Sequence, residues 1–162
     1  APRVAVLLGG ANRRYGISAI MAKDMASRLT NFAIKTGASV ALIPSRRTPA
    51  NLVAQLSASL GPLPHAVMDQ AEHNPYPGIL GLVDAVIVTS DSVNMISEVT
   101  ITGLPILIAE WRSETGRIGA FHDAMIAAGH IAPLRDQLPQ DGFTPLFEMP
   151  AIVKSVLARL NS

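Results

Sequence analysis

The chain has 162 residues, of which 49% are hydrophobic and 15% are charged. This content supplies enough apolar side chains for a sizeable core and excludes an intrinsically disordered chain. The formal net charge of +1 gives no electrostatic basis for binding nucleic acid or an anionic membrane surface. Because the sequence contains no cysteine, disulfides, thiolate metal sites and a cysteine nucleophile are excluded as well.

Short apolar runs alternate with amphipathic segments along the sequence. The apolar runs predict six strands, at residues 3–8, 39–43, 65–68, 84–89, 105–109 and 131–134. Within the segments between these strands, apolar residues recur at helical spacing and predict helices at residues 18–36, 49–60 and 117–128. A further helix is predicted to be capped by residues 90–92 and to run to Thr102, and a short helical turn is predicted after Gly78. Thr48 is the predicted N-cap of the second helix. A last amphipathic helix is predicted to begin at Pro150.

This alternation of strands and helices predicts the fold. Strands that are apolar along their whole length need cover on both faces, which is typical of a parallel sheet. We therefore expect an α/β fold: a doubly wound, Rossmann-type parallel sheet of about six strands in the order 3-2-1-4-5-6. In such sheets ligands bind at the carboxyl ends of the strands, near the switch between strands 1 and 4, so the loops at that edge form the candidate site.

We expect residues 1–162 to form a single Rossmann-like domain. The sequence begins at Ala1 and reaches an apolar strand at Arg3. Removal of an initiator methionine accounts for this start; our preferred interpretation is that the chain is the C-terminal half of a two-domain protein. The sequence contains no recognisable signal peptide or transmembrane segment, so we expect a cytoplasmic protein, with peripheral attachment to a membrane as the alternative.

The loop after the first strand contains five candidate anion-binding residues: Gly9, Gly10, Asn12, Arg13 and Arg14. Paired glycines let the backbone approach a phosphate, a following helix N-terminus adds positive potential, and arginines form charge-assisted hydrogen bonds with phosphate oxygens. The spacing matches neither the G-x-G-x-x-G fingerprint of dinucleotide sites nor a Walker A loop. Two interpretations remain open, a phosphate site and an ordinary tight turn, whereas NAD binding is not favoured.

Two arginines, Arg46 and Arg47, follow the second strand, near the position where an NAD-dependent enzyme places an acidic residue. They are suited to the 2′-phosphate of NADP or to another anion. The other interpretation is a pair of solvated charges ahead of a helix. This pair is the observation that keeps an NADP-dependent enzyme among the alternatives.

The loop after the fourth strand leads into a helix that contains Glu98. At about 100° per residue, Asp91, Asn94 and Glu98 lie along one face of its first two turns. Ser92 and the N–H groups of the first turn can hold a phosphate, while Glu98 can accept hydrogen bonds from the two hydroxyls of a ribose. The alternative interpretation is ordinary N-capping followed by a solvated acidic face.

Other residue types with chemical potential give weaker signals. The four histidines have no metal-ligand spacing, so no metal site is predicted. His122 falls in the apolar stripe of a predicted helix, which is more typical of a core residue than of a ligand. Trp111, after the fifth strand, is suited equally to a pocket wall and to core packing.

Residues 89–98, followed by Gly103-Leu104-Pro105, resemble the donor-site helix of the GT-B glycosyltransferases, among them the peptidoglycan N-acetylglucosaminyltransferases. Those enzymes share the layout of a Gly-Gly turn after a first strand and a Ser-Glu pair, here Ser97-Glu98, ahead of Gly-Leu-Pro. The resemblance implies that Glu98 binds the ribose of a UDP-sugar. It also implies that Ser92 and Gly10 line the diphosphate.

A second resemblance covers more of the chain, roughly residues 4–134. The chain resembles the mitochondrial-fission family named for elongated mitochondria in these segments: Gly9-Gly10 to Arg14-Tyr15, residues 45–49, Asn74-Pro75-Tyr76, residues 91–98 and Phe121-His122. Bacterial members of that family are described as nucleoside-diphosphate-sugar enzymes, whereas its plant member resembles an adaptor that recruits a dynamin-type GTPase. The resemblance therefore implies either a nucleotide-sugar enzyme or an interaction module.

From these resemblances we expect the nucleotide-sugar-binding half of a GT-B-like glycosyltransferase. Retaining enzymes of this class often have a pair of acidic residues. The spacing of that pair is one residue longer than the spacing of Asp91 and Glu98 here, so the resemblance favours an inverting enzyme. We expect no cofactor and no metal, a UDP-sugar-like donor as substrate, and an N-terminal domain of the same protein as partner. No catalytic residue is assigned, because the catalytic base is expected outside this chain. The alternatives are a non-catalytic interaction module and an NADP-dependent enzyme.

Overall fold

The computed structural model describes residues 1–11, 16–68, 76–139, 142–147 and 149–160, with side chains in the last range at residues 153–159. Asn12, Arg13 and Arg14 therefore lie outside the described residues. The described ranges contain six strands: β1 (Arg3–Leu8), β2 (Ser39–Pro44), β3 (His65–Val67), β4 (Ala85–Thr89), β5 (Ile106–Ala109) and β6 (Ala132–Pro133). They also contain six helices: α1 (Ala19–Thr36), α2 (Ala50–Leu60), α3 (Tyr76–Leu80), α4 (Val93–Thr100), α5 (Gly116–Ala127) and α6 (Met149–Leu160).

The six strands are parallel and form one sheet in the order β3-β2-β1-β4-β5-β6. β1 lies at the switch point, where Val4 pairs with Val40 of β2 on one side and with Ala85 of β4 on the other. The predicted doubly wound fold and its strand order are thus confirmed. The order reverses between β1 and β4, so the loops after these strands flank the crevice in which such sheets bind ligands.

Two hydrophobic layers cover the sheet, because successive side chains of a strand point to opposite faces. Val4, Val6 and Leu8 of β1 pack in the layer that contains α1 and α2. Ala5 and Leu7 of the same strand pack in the opposite layer, with α4 and α5. Because both faces are covered, β1 is buried from its second residue onward, which explains why it is apolar from Val4 to Leu8.

The start of α2 differs from the sequence prediction. Thr48 is not the N-cap: the helix begins at Ala50, and Pro49 occupies the N-cap position. The Thr48 hydroxyl instead accepts a hydrogen bond from the N–H of Ser45 at 2.8 Å and donates one to the carbonyl oxygen of Leu8 at 2.7 Å. Thr48 therefore ties the loop after β2 to the end of β1, next to the candidate site.

The last helix, α6, forms one residue earlier than predicted, at Met149. Its side chains Val153, Val156 and Leu157 are spaced three and four residues apart, so they lie on one face, and each is about half exposed. Within the described ranges, no helix combines the length and the apolar content that crossing a bilayer requires.

Candidate functional site

A cavity of about 290 Å³ lies at the carboxyl edge of the sheet, among the ends of β1 and β2 and the helices α3 and α4. Its polar lining residues are Ser45, Arg46, Tyr76 and Glu98. The apolar part of its wall is formed by Leu7, Ile43, Pro44 and Met95. Two predicted site residues that are distant in sequence, one after β2 and one in α4, therefore share one cavity.

Glu98 is held at this cavity by the packing of its own helix. Ile96 and Val99, on either side of it in sequence, are completely buried in the core beneath α4. The side chain of Glu98 is exposed and faces the cavity. The apolar residues of this helix thus pack on the sheet while Glu98 lies at the cavity, and its role in binding a ligand stays a prediction.

Tyr76 is a cavity residue that the sequence analysis did not assign to the site. It begins α3, and its hydroxyl oxygen is buried. Burial and the negative charge of Glu98 raise the pKa of Tyr76 to about 12. The phenol therefore stays protonated at neutral pH and presents a neutral aromatic group beside a carboxylate. A signal was available, because Tyr76 belongs to one of the segments on which the second resemblance rested.

Three further predicted site residues lie at the N-cap and in the first two turns of α4. Ser92 is the N-cap, and its hydroxyl oxygen accepts a hydrogen bond from the N–H of Met95 at 3.5 Å. A capping hydroxyl accepts with its oxygen and keeps a hydrogen with which to donate. Asn94 is exposed in the first turn, and Ser97, directly before Glu98, is half-buried.

Asp91 does not lie on the helical face where the sequence analysis put it, because α4 begins two residues later. Its carboxylate is fully buried. Oδ1 accepts hydrogen bonds from the Thr89 hydroxyl at 2.7 Å and from the indole N–H of Trp111 at 2.9 Å. Oδ2 accepts one from the backbone N–H of Gly10 at 3.0 Å and lies 3.6 Å from the Arg47 guanidinium. We call these five residues the Asp91 cluster; they connect the loops after β1, β2, β4 and β5.

The Asp91 cluster explains both glycines of the turn after β1. A Cβ on Gly9 would lie 2.0 Å from Oδ2 of Asp91, and a Cβ on Gly10 would lie 2.0 Å from the carbonyl oxygen of Arg47. The N–H of Gly9 donates to the Thr89 hydroxyl oxygen at 2.8 Å. Both glycine N–H groups are therefore bonded within the chain, and close packing alone accounts for the Gly-Gly pair.

His122 and Trp111 are core residues, each 3% exposed. For Trp111 the packing interpretation is therefore the right one, with an added hydrogen bond to Asp91. Within the part of the chain that the structure describes, no group of three or more His, Asp or Glu side chains is arranged to hold a metal ion.

The six-stranded parallel sheet, with its cavity at the carboxyl edge, defines the class of protein: a doubly wound, Rossmann-like α/β unit. The crystal structure of MurG from Acinetobacter baumannii, a GT-B glycosyltransferase, is similar to it with a TM-score of 0.50 and 12% sequence identity. The match covers 99% of this chain and 41% of the MurG chain. At this identity, the similarity shows the fold alone.

The family follows from the sequence comparisons. The family model described as Mitochondrial fission ELM1 matches residues 1–160. Mitochondrial fission protein ELM1 of Arabidopsis thaliana is 38% identical over 151 residues, which cover 91% of this chain and 33% of that protein. The chain therefore belongs to the mitochondrial fission ELM1 family, and it spans about a third of the length of this curated relative.

Proposed function

We propose that the chain is the nucleotide-sugar-binding part of a GT-B-like glycosyltransferase of the inverting, metal-independent type. The observation that supports this most directly is the cavity at the carboxyl edge, in which Arg46, Tyr76 and Glu98 meet. A nucleotide-sugar combines a flat aromatic base, whose ring faces can pack on apolar side chains, a ribose with two neighbouring hydroxyls, and an anionic diphosphate. The cavity offers apolar walls, a carboxylate and a guanidinium, which match these three chemistries.

Each part of the ligand has a suitable partner in this arrangement. The Glu98 carboxylate would repel a phosphate, but it can accept hydrogen bonds from both ribose hydroxyls. The diphosphate is assigned to Arg46 and to the first turn of α4, with Ser92 and Asn94. A guanidinium and a helix N-terminus supply a positive field without a metal ion. The acceptor site and the catalytic base are assigned to an N-terminal domain outside this chain.

The test is a binding panel of UDP-, GDP-, ADP- and CMP-sugars, with NADP alongside, measured by calorimetry and by thermal unfolding. A ligand that binds only the native state stabilises it by about 2.7 kcal/mol at 100 times its Kd. For a chain of this size that raises the Tm by several degrees. We expect UDP or a UDP-sugar to give this saturable rise. No binding of any nucleotide at millimolar concentration would contradict the proposal, and a response to NADP alone would support an oxidoreductase.

A second candidate is a non-catalytic interaction module on the same scaffold. The observation that favours it is the name of the Arabidopsis relative, which refers to mitochondrial fission and not to sugar transfer. The two candidates differ in the panel above, because an interaction module needs no nucleotide. A chain that binds no nucleotide would support the interaction module.

A further inference from the structure

The Asp91 cluster has the composition of an anion-binding site. Three hydrogen-bond donors point at the same two oxygen atoms: the N–H of Gly10, the Thr89 hydroxyl and the indole N–H of Trp111. A cation, the guanidinium of Arg47, lies 3.6 Å from one of these oxygens. Backbone N–H groups, side-chain donors and an arginine are the groups with which proteins bind phosphate and carboxylate. The anion that they surround here belongs to the chain itself.

We propose that Asp91 is a positioning residue that fills the anion site of the Gly9-Gly10 turn from within. The turn then holds the loops of the carboxyl edge in place and does not contact the phosphate of a ligand. This step rests on the proposed function: if the ligand is a nucleotide-sugar, Arg46 and the first turn of α4 bind its diphosphate.

Burial distinguishes this role from direct binding. The side chain of Asp91 is 0% exposed, whereas that of Arg47 beside it is 48% exposed. A ligand hydroxyl therefore reaches Asp91 only if one of its present partners moves away. A buried carboxylate is costly unless it is hydrogen-bonded, so the three donors and the guanidinium are what make this position tolerable for Asp91. The absence of a Cβ at Gly9 makes room for the carboxylate.

The experiment removes the carboxylate and then returns it as a separate molecule. Asp91→Ala deletes the group, and formate has the same group and a similar size. We expect the Tm of Asp91→Ala to fall and then to rise saturably with formate, by roughly 3–6 °C at about ten times its Kd, while chloride at equal ionic strength has no such effect. Asp84→Ala is the matched control, because Asp84 is an exposed carboxylate paired with Arg3. Formate should leave the Tm of this control and of the unaltered protein unchanged.

A spectroscopic signal follows the cluster directly. Trp111 is the single tryptophan of the sequence, so its indole N–H gives one NMR resonance. We expect this resonance to move in Asp91→Ala and to return towards its original position with formate. UDP added to the unaltered protein should leave it in place while the amide resonances of Arg46 and Glu98 shift.

The outcomes separate the two proposals. The role of Asp91 is overturned if formate changes the Tm of the variant and of the unaltered protein equally, or changes neither. It is also overturned if UDP shifts the Trp111 resonance. UDP that fails to bind contradicts the proposed function, while the formate result still decides the role of Asp91. If Asp91→Ala does not fold, Asp91→Asn keeps the shape but turns an amide donor towards the N–H of Gly10; an unchanged amide resonance of Gly10 in that variant also overturns the proposal.

Discussion

Tyr76 and Glu98 line the same cavity, and the charge of the carboxylate adds to burial in raising the pKa of the phenol to about 12. This relationship links α3 to α4 electrostatically at the candidate site. Burial is the larger of the two causes. A neutral Tyr76 at physiological pH therefore does not depend on Glu98, whereas the size of the shift does.

The first prediction concerns this titration. Glu98→Gln should lower the pKa of Tyr76 but leave it above the ordinary value of about 10, because burial remains. The measurement is the ultraviolet absorbance of tyrosinate against pH, with Tyr76→Phe identifying the contribution of Tyr76. An unchanged midpoint in Glu98→Gln would contradict the coupling.

The same shift predicts how stability depends on pH. The folded state keeps the Tyr76 proton up to a pKa of about 12, while the unfolded chain releases it near 10. The stabilising contribution of neutral Tyr76 is therefore complete below pH about 10 and is lost as the pH rises towards 12. In urea unfolding over this range, Tyr76→Phe should lose less stability than the unaltered protein. Parallel losses in the two proteins would argue against the raised pKa.

Glu98→Gln also tests the ribose assignment. The variant keeps the shape of the side chain but removes its charge, so nucleotide affinity should fall by about 1–3 kcal/mol, the usual contribution of a hydrogen bond to a charged group. Stability should change by less than about 0.5 kcal/mol, because the position is exposed. Calorimetry and urea unfolding measure the two quantities. Glu110→Gln, the same change in an exposed residue after β5, is the control and should keep full affinity. Loss of folding with unchanged affinity would make Glu98 a structural residue.

Gly9 and Asp91 should show strong coupling in a double-mutant cycle. Gly9→Ala places a Cβ 2.0 Å from Oδ2 of Asp91, and a clash in a well-packed region costs roughly 1–3 kcal/mol. In an Asp91→Ala background the clashing atoms are gone, so the same substitution should cost at least about 0.5 kcal/mol less. Gly16→Ala is the control, because a Cβ there meets no described atom within 4 Å. Additive costs for Gly9→Ala and Asp91→Ala would mean that the two residues do not constrain each other.

Thr89→Val tests the hydroxyl that donates to Asp91 within the Asp91 cluster. The substitution keeps the shape of the side chain, removes the donor to Asp91 and leaves the buried N–H of Gly9 without the acceptor it now has. We expect a loss of about 1–3 kcal/mol in the free energy of unfolding, measured with urea. The control is Thr102→Val, which removes an exposed hydroxyl that bonds within its own turn and should cost less than about 0.5 kcal/mol. Equal losses in the two variants would contradict a special role for Thr89.

The strands and their order could be predicted from the sequence because the sheet is covered on both faces. That arrangement makes β1 apolar from Val4 onward and β4 apolar from Ala85 to Val88, and the general rule for doubly wound sheets then supplies the order. Glu98 was predicted for a similar reason, since the period of an α-helix fixes which side chains share its face. The position of Glu98 on its helix follows from a pattern within one segment, whereas the strand order follows from the alternation of strands and helices along the whole chain.

The role of Asp91 could not be predicted in this way. The helical argument assumed that its backbone was already helical, whereas α4 begins at Val93. The direction of its carboxylate is set by donors on other loops, those of Gly10 and Trp111, which meet only in the folded sheet. The position of Tyr76 at the cavity could not be predicted either, because α3 follows the edge strand β3 and meets the other cavity residues only in the folded sheet.

The position of β1 between β2 and β4 has a consequence for folding on the ribosome. β1 is synthesised before every other strand described here, and β2 follows it after a single helix. β4 is made only after α1, β2, α2, β3 and α3, so one side of β1 keeps unpaired N–H and C=O groups until then. Such an open apolar edge invites pairing with another chain. Slower translation between β3 and β4 would therefore prolong the interval in which this edge is open to pairing with another chain, although the native sheet encloses the strand on both sides.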